Sequence, residues 1–252
     1  MKKFASLFVV LLFVPLIMLA DSAKTLFDIA NEHYNKGEYE QSILLYDSLI
    51  KNDVESAGIY FNLANAWFKI DDIPHSILYY EKAMKIEPNN KDIIYNLELA
   101  NTRIADRIED VPEFFLKTWW NNILYLFNEK QWTRINILMF ALFLTFGIIY
   151  FVSKKRSIKK LGFSLSIILL LLSFISGLIG FRSYKIKTTH NTAIIFTPAV
   201  NIKSAPDDNS STIFILHQGT KVSLLDKSGD WQKVKIANGS EGWILNNDFE
   251  EI

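Results

Sequence analysis

The chain has 252 residues, 50% of them apolar, with no cysteine, four histidines and 27 basic against 27 acidic side chains. Without thiols there is no disulfide scaffold, no thiolate metal cluster and no cysteine nucleophile. The neutral total conceals a segregation: residues 24–110 carry 9 basic and 16 acidic groups, 111–189 carry 11 and 2, and 190–252 carry 5 and 8. Cations gathered on the most apolar stretch argue against a nucleic-acid binder, whose basic residues belong on a soluble face. They point instead to a membrane protein carrying two acidic soluble modules.

Met1-Lys2-Lys3 precedes an apolar run over residues 4–19, the charge-then-grease order of a bacterial export signal occupying residues 1–20. Ala20 suits the position before a cut, whereas Met18 is bulky where a small side chain is preferred. Cleavage after Ala20 and retention as a signal anchor are therefore both open, and either exports the chain beyond residue 20.

Residues 23–110 repeat with a period of 34. Phe27-Asp28-Ile29-Ala30-Asn31 aligns with Phe61-Asn62-Leu63-Ala64-Asn65, and Tyr95-Asn96-Leu97 falls at the next offset. Ser42-Ile43-Leu44-Leu45-Tyr46 aligns in the same way with Ser76-Ile77-Leu78-Tyr79-Tyr80. With Gly37 in the inter-helix turn, small Ala30 and Ala64, and Glu87-Pro88-Asn89-Asn90 closing a unit, this segment resembles the tetratricopeptide repeat. It departs at Asp71 for the turn glycine, Leu49 for a small residue and Val54 for the closing proline. The resemblance implies an α-helical solenoid with units at 23–56 and 57–90 and a partial third at 91–109. Two and a half units are few for an architecture in which each buries its apolar stripe on the next. The expectation is support from a partner, a second copy or the membrane-proximal segment. The resemblance also implies a peptide groove lined by Phe27, Asn31 and Asn35, by Phe61, Asn65, Phe68 and Lys69, and by Tyr95 and Arg103. Amides at 34-residue intervals can hydrogen-bond an extended peptide, and a cation can hold a carboxylate. The competing reading gives the asparagines to helix surfaces and the aromatics to packing.

Residues 111–134 form an aromatic connector, with Phe114, Phe115, Trp119, Trp120, Tyr125 and Phe127. Phe115, Leu116, Trp119, Trp120, Ile123, Leu124 and Phe127 recur at helical spacing, and Pro112 suits a helix start. The expected element is an amphipathic helix, either lying in the membrane interface or capping the last repeat helix. Residues 135–152 and 161–181 then hold no Asp, Glu, Lys or Arg. At 1.5 Å per residue they reach about 27 and 31 Å, enough to cross a hydrocarbon core. Between them residues 153–160 include five cations, which favours a cytoplasmic turn and places both soluble modules on the far side.

From residue 190 short β runs alternate with turns: 193–196, 200–203, 213–216, 221–225, 232–236 and 241–245 read as strands. Many short strands in so few residues imply a small barrel. Val200-Asn201-Ile202-Lys203-Ser204 before Pro206, Gly219-Thr220-Lys221-Val222, Gly229-Asp230-Trp231, Glu241-Gly242-Trp243-Ile244 and Asn247-Asp248-Phe249 make the segment similar to a bacterial SH3-like domain. Trp231 and Trp243 could then form a ligand platform for a Pro-rich or cell-wall peptide; Trp243, next to Gly242 in a strand, has a core reading as well.

His33, His75, His190 and His217 lie in separate segments without metal-ligand spacing, and no phosphate loop, nucleophile elbow or HExxH pattern occurs. The acidic residues read as solvated helix faces. The chain is therefore expected to be no enzyme and to use no cofactor. The order as a whole, including Tyr95-Asn96-Leu97-Glu98, Arg103, Asp106 and Trp119-Trp120, is similar to the BatE proteins of the Bacteroides aerotolerance system. That resemblance implies a multi-pass inner-membrane adaptor with periplasmic modules. Its implied partners are membrane-tethered von Willebrand A-domain proteins and a MoxR-type ATPase, with peptidoglycan as a further candidate, in oxidative-stress tolerance or envelope integrity. The alternative is a cell-wall sensor in which the SH3-like domain binds peptidoglycan, and a hydrolase is a distant third.

Overall fold

A computed structural model describes residues 23–108 and 114–252. The expected export signal and Pro112 lie outside these residues. The chain divides into two compact units, one holding the N-terminal helices with residues 190–252, the other holding residues 112–189.

In the first unit α1 covers residues 23–35, followed by α2 (Tyr39–Lys51), α3 (Ala57–Lys69), α4 (Ile73–Ile86) and α5 (Lys91–Asn101). The starts of α2 and α4, and of α3 and α5, are 34 residues apart, so the sequence period is a period of helices. The starts of α3, α4 and α5 have side-chain caps. Ser56 Oγ accepts the Ile59 N–H, an Asp72 carboxylate oxygen accepts the His75 N–H, and Asn90 Oδ1 accepts from Asp92 and Ile93, satisfying N–H groups that the first turn leaves without partners. Between helices of a pair, Gly37 takes φ +82° and Asp71 takes φ +66°. The aspartate thus fills the glycine's role in the left-handed region, which Asp tolerates better than most side chains. Tyr46, Leu49, Leu63, Ile77, Leu78 and Ile93 form the buried spine of the array.

Seven antiparallel strands complete this unit: β1 (Thr192–Ile195), β2 (Ala199–Lys203), β3 (Thr212–His217), β4 (Lys221–Ser228), β5 (Trp231–Lys235), β6 (Glu241–Leu245) and β7 (Phe249–Glu251). Their order in the sheet is β3-β2-β6-β5-β4-β1-β7. The six strands expected from sequence are present; β4 is longer, and β7 starts at the last residue of the expected closing turn. Val200, Ile202, Leu216, Val222, Val234 and Ile244 build the core by alternation. Gly242 is required where β6 approaches β2: a Cβ there would stand 2.3 Å from Ile202 Cγ2 and 2.9 Å from the Lys203 carbonyl oxygen.

Within this unit the sheet packs on the last helices of the array. Ile194 and Ile252 pack into one cluster with Ile77, Leu78, Leu97 and Ala100. Helix α5 stops at Asn101, short of the helix to residue 109 expected from sequence. The chain beyond it turns to reach the sheet through Ile104 and Asp106. Gly219, at φ +87°, makes room for this segment, since a Cβ would meet Ile104 Cγ2 at 2.6 Å.

In the second unit α6 (Phe115–Leu124), α7 (Glu129–Val152) and α8 (Arg156–Thr188) occur in order. Both α7 and α8 are long and apolar enough to cross a membrane. They pack along a seam of small residues: Gly162, Ser166, Ser173, Ser176 and Gly180 are buried on α8, and Asn136 Nδ2 donates to the Ser173 carbonyl at 2.6 Å. Such residues let helix backbones approach closely. The basic turn is shorter than the expected 153–160, because Arg156, Lys159 and Lys160 are already helical. Lys and Arg are good helix formers and nothing in that stretch breaks the helix.

Candidate functional site

The first helices of successive pairs, α1, α3 and α5, are joined by a ladder of side-chain hydrogen bonds that repeats with the helices. Tyr46 Oη and Asn62 Nδ2 both donate to Asn31 Oδ1, at 2.5 and 2.8 Å. One period later Tyr80 Oη and Asn96 Nδ2 both donate to Asn65 Oδ1, at 2.5 and 3.0 Å. The doubly engaged oxygen fixes the orientation of each amide. Burial raises the pKa of the Tyr46 hydroxyl, which keeps it protonated and a donor.

Beside the second rung lies a cavity of about 310 Å³ lined by Tyr34, Asn65, Phe68, Lys69, Tyr80, Asn96 and Leu99. Of the groove residues expected from sequence it unites Asn65, Phe68 and Lys69. Asn31 holds the equivalent rung, and Asn35 is exposed on α1. Phe27 and Phe61 are given packing partners: their rings tilt against Tyr46 and Tyr80 at 6.0 and 5.9 Å. Tyr95 is exposed on α5. Arg103 is not an open cation in the groove. Its guanidinium donates to Asp71 at 2.6 Å and stands over the Phe68 ring at 5.6 Å. The groove expected from sequence lacks Tyr34, Tyr80, Asn96 and Leu99, although Tyr46/Tyr80 and Asn62/Asn96 stand at the 34-residue offset.

Arg103 also lines a second cleft, of about 330 Å³, with Asp71, Pro198, His217 and Gln218, where the array meets the sheet. Here the acidic residues depart from the solvated faces expected of them. Asp106 accepts the His217 N–H and the Thr220 hydroxyl, both at 2.7 Å, and pairs with His217 Nδ1 at 2.7 Å. Burial works to raise the Asp106 pKa, but the hydrogen bonds from His217 and Thr220 outweigh it and the net shift is downward. Glu81, 6% exposed, is neutralised by Lys221 at 2.7 Å. His75 stacks on Trp67 at 4.3 Å and meets Phe196 of the sheet edge-on at 4.7 Å.

On the outer face of the sheet, β5 presents Trp231, Lys233 and Lys235 while Gln232 and Val234 point inward. β6 presents Trp243 and Leu245 while Gly242 and Ile244 point inward. Trp231 opposes Leu245, and Trp243 opposes Lys233 on one side and Lys203 on the other. The core reading of Trp243 is therefore corrected: Ile244 takes the core position and the period of two turns the indole outward. Two half-buried indoles sit diagonally on one face, flanked by lysines, of which Lys233 pairs with Glu241 at 2.9 Å. This is an aromatic surface with a cationic border, suited to a peptide or other extended ligand.

Residues 198–250 match the family described as Bacterial SH3 domain. Among solved structures the chain is similar to the C-terminal SH3 domain of myosin IB from Entamoeba histolytica, at 28% identity over 26% of this chain and 89% of that one, with a TM-score of 0.19. No curated protein matches the chain. The C-terminal sheet is an SH3-like domain, and this suggests a role in binding protein or peptide.

Proposed function

We propose that this protein is a non-catalytic, membrane-anchored adaptor of the BatE kind. In this reading residues 23–110 are a tetratricopeptide-repeat module that holds peptide segments of partner proteins. Residues 190–252 engage a second protein or cell-wall ligand, and the α7–α8 hairpin fixes both at a bacterial inner membrane with the two modules in the periplasm. The partners would be von Willebrand A-domain proteins of an aerotolerance or envelope-integrity complex. The observation that carries the reading is the presence in one chain of the cavity at Asn65, Phe68 and Lys69 and of the outward aromatic face at Trp231 and Trp243. The 34-residue helix period, the Asn–Tyr–Asn ladder and two helices long enough to span support it.

The outward-facing indoles favour one second reading, a cell-wall sensor whose SH3-like domain binds peptidoglycan. Photo-crosslinkers placed at Lys69 and at Trp231 in cells separate the two. Crosslinks from Lys69 to a membrane-tethered protein partner support the adaptor. Glycan–peptide adducts at Trp231, with no protein captured at Lys69, would replace it by the sensor.

A further inference from the structure

Helix α6 divides its apolar residues between two environments. Ile123 and Leu124 pack on the base of the hairpin with Trp132 and Ile179, and Trp132 Nε1 donates to the Leu124 carbonyl at 3.2 Å. Phe115, Leu116, Trp119 and Trp120 are left 67, 52, 60 and 44% exposed. Lys117, Thr118, Asn121 and Asn122 occupy the remaining face of the helix. An apolar surface of four large side chains on one short helix is costly to leave in water.

Three observations identify what covers it. The Leu124–Trp132 contact holds α6 level with the start of α7, where the apolar surface of a helix able to cross a membrane begins. The same level is rich in charge of one sign: Lys130, Arg134, Arg182 and Lys185 are exposed. Glu129, the only acid among the described residues of this unit, is consumed by Lys187 at 2.7 Å. Finally, Trp and aromatic rings beside a cationic ring are the composition of a membrane–water interface, and exposed cations there favour anionic headgroups.

We propose that the exposed face of α6 lies in the headgroup layer of a leaflet containing anionic phospholipid, as an in-plane contact beside the hairpin. This rests on reading α7 and α8 as membrane spans. Its consequence is that the hairpin is held against tilting and rotation at the end from which the chain leaves for the N-terminal module.

The absence of cysteine from the sequence makes single-cysteine spin labelling of the full chain direct. Leu116→Cys and Thr118→Cys label opposite faces of α6, and Leu144→Cys labels an exposed position within α7. The protein is reconstituted in phosphatidylcholine vesicles, with and without about three parts in ten of phosphatidylglycerol. Accessibility of each label to oxygen and to a water-soluble nickel chelate is then compared. The expected oxygen-to-nickel ratio at 116 exceeds that at 118 by about threefold or more, and it rises further with phosphatidylglycerol. Equal ratios at 116 and 118 while 144 remains inaccessible to nickel would overturn the proposal and leave the hairpin standing. Nickel access at 144 would overturn the hairpin itself. An unchanged ratio on adding phosphatidylglycerol would overturn the anionic preference, and dipolar broadening between labels at 116 would assign the face to a second copy instead.

Discussion

Replacing Asn65 by alanine tests whether the amide ladder is part of the fold as well as of the groove. The substitution removes one oxygen that accepts two hydrogen bonds, from Tyr80 Oη and Asn96 Nδ2. Tyr80 is 1% exposed, so its hydroxyl is stranded in the core at a cost of about 1–3 kcal/mol. Asn96 is half-buried and can turn to water, so its bond is worth about 0.5–1.5 kcal/mol. Alanine returns up to ~0.7 kcal/mol of helix propensity. The net expectation is a loss of about 2 kcal/mol. Asn31→Ala, which strands the fully buried Tyr46 in the same way, should cost a similar amount one period away. Tyr80→Phe removes the stranded hydroxyl, so Asn65→Ala in that background should be cheaper than in the parent, with a coupling of about 1 kcal/mol. Hydrogen exchange over residues 57–86 of the detergent-solubilised full chain reads each value as a change in opening free energy. An Asn65→Ala protein with unchanged protection, or strict additivity with Tyr80→Phe, would show that the ladder bears no structural weight and that the reasoning is wrong.

Two further outcomes concern the contact between array and SH3-like domain. Ile252, 2% exposed against Ile77 and Leu78, should cost about 2–4 kcal/mol on truncation to alanine; the decisive readout is faster exchange in α4, distant in sequence, not merely in β7. The Asp106 pKa is lowered in the folded protein, so its contribution is fully present above the ordinary carboxylate value of about 3.9 and is lost as pH falls through the lower folded value. Protection of the His217 amide, which donates to Asp106, should therefore drop in acid, below about pH 4, and Asp106→Asn should abolish that pH dependence. An acid transition that persists in the Asn variant would assign it to another group.

How far the sequence is legible depends on the range of the interactions concerned. The 34-residue period announces the helix pairs, because each pair is a local unit whose caps and turns lie within a few residues of one another. Even Asp71 in place of glycine is resolved locally, by a left-handed residue. The two apolar helices and most strands are readable for the same reason. Site residues are legible only where they recur. Asn31 and Asn65 stand out, but whether their amides point to a ligand or to each other depends on Tyr46, Asn62, Tyr80 and Asn96, which come from neighbouring helices. Arg103 reads as a free cation until Asp71, 32 residues away, is placed against it.

By itself the sequence determined the helical period, the two apolar helices and the run of short strands, since apolar periodicity, turn chemistry and charge act over one or a few turns of chain. Only the tertiary structure decided what packs on the last helices of the array. Ile194 and Ile252 meet Ile77 and Leu78, Asp106 meets His217 and Thr220, and Glu81 meets Lys221. Those pairs are separated by more than 100 residues, and no periodicity in a chain encodes which distant surface will shield an open apolar edge from water.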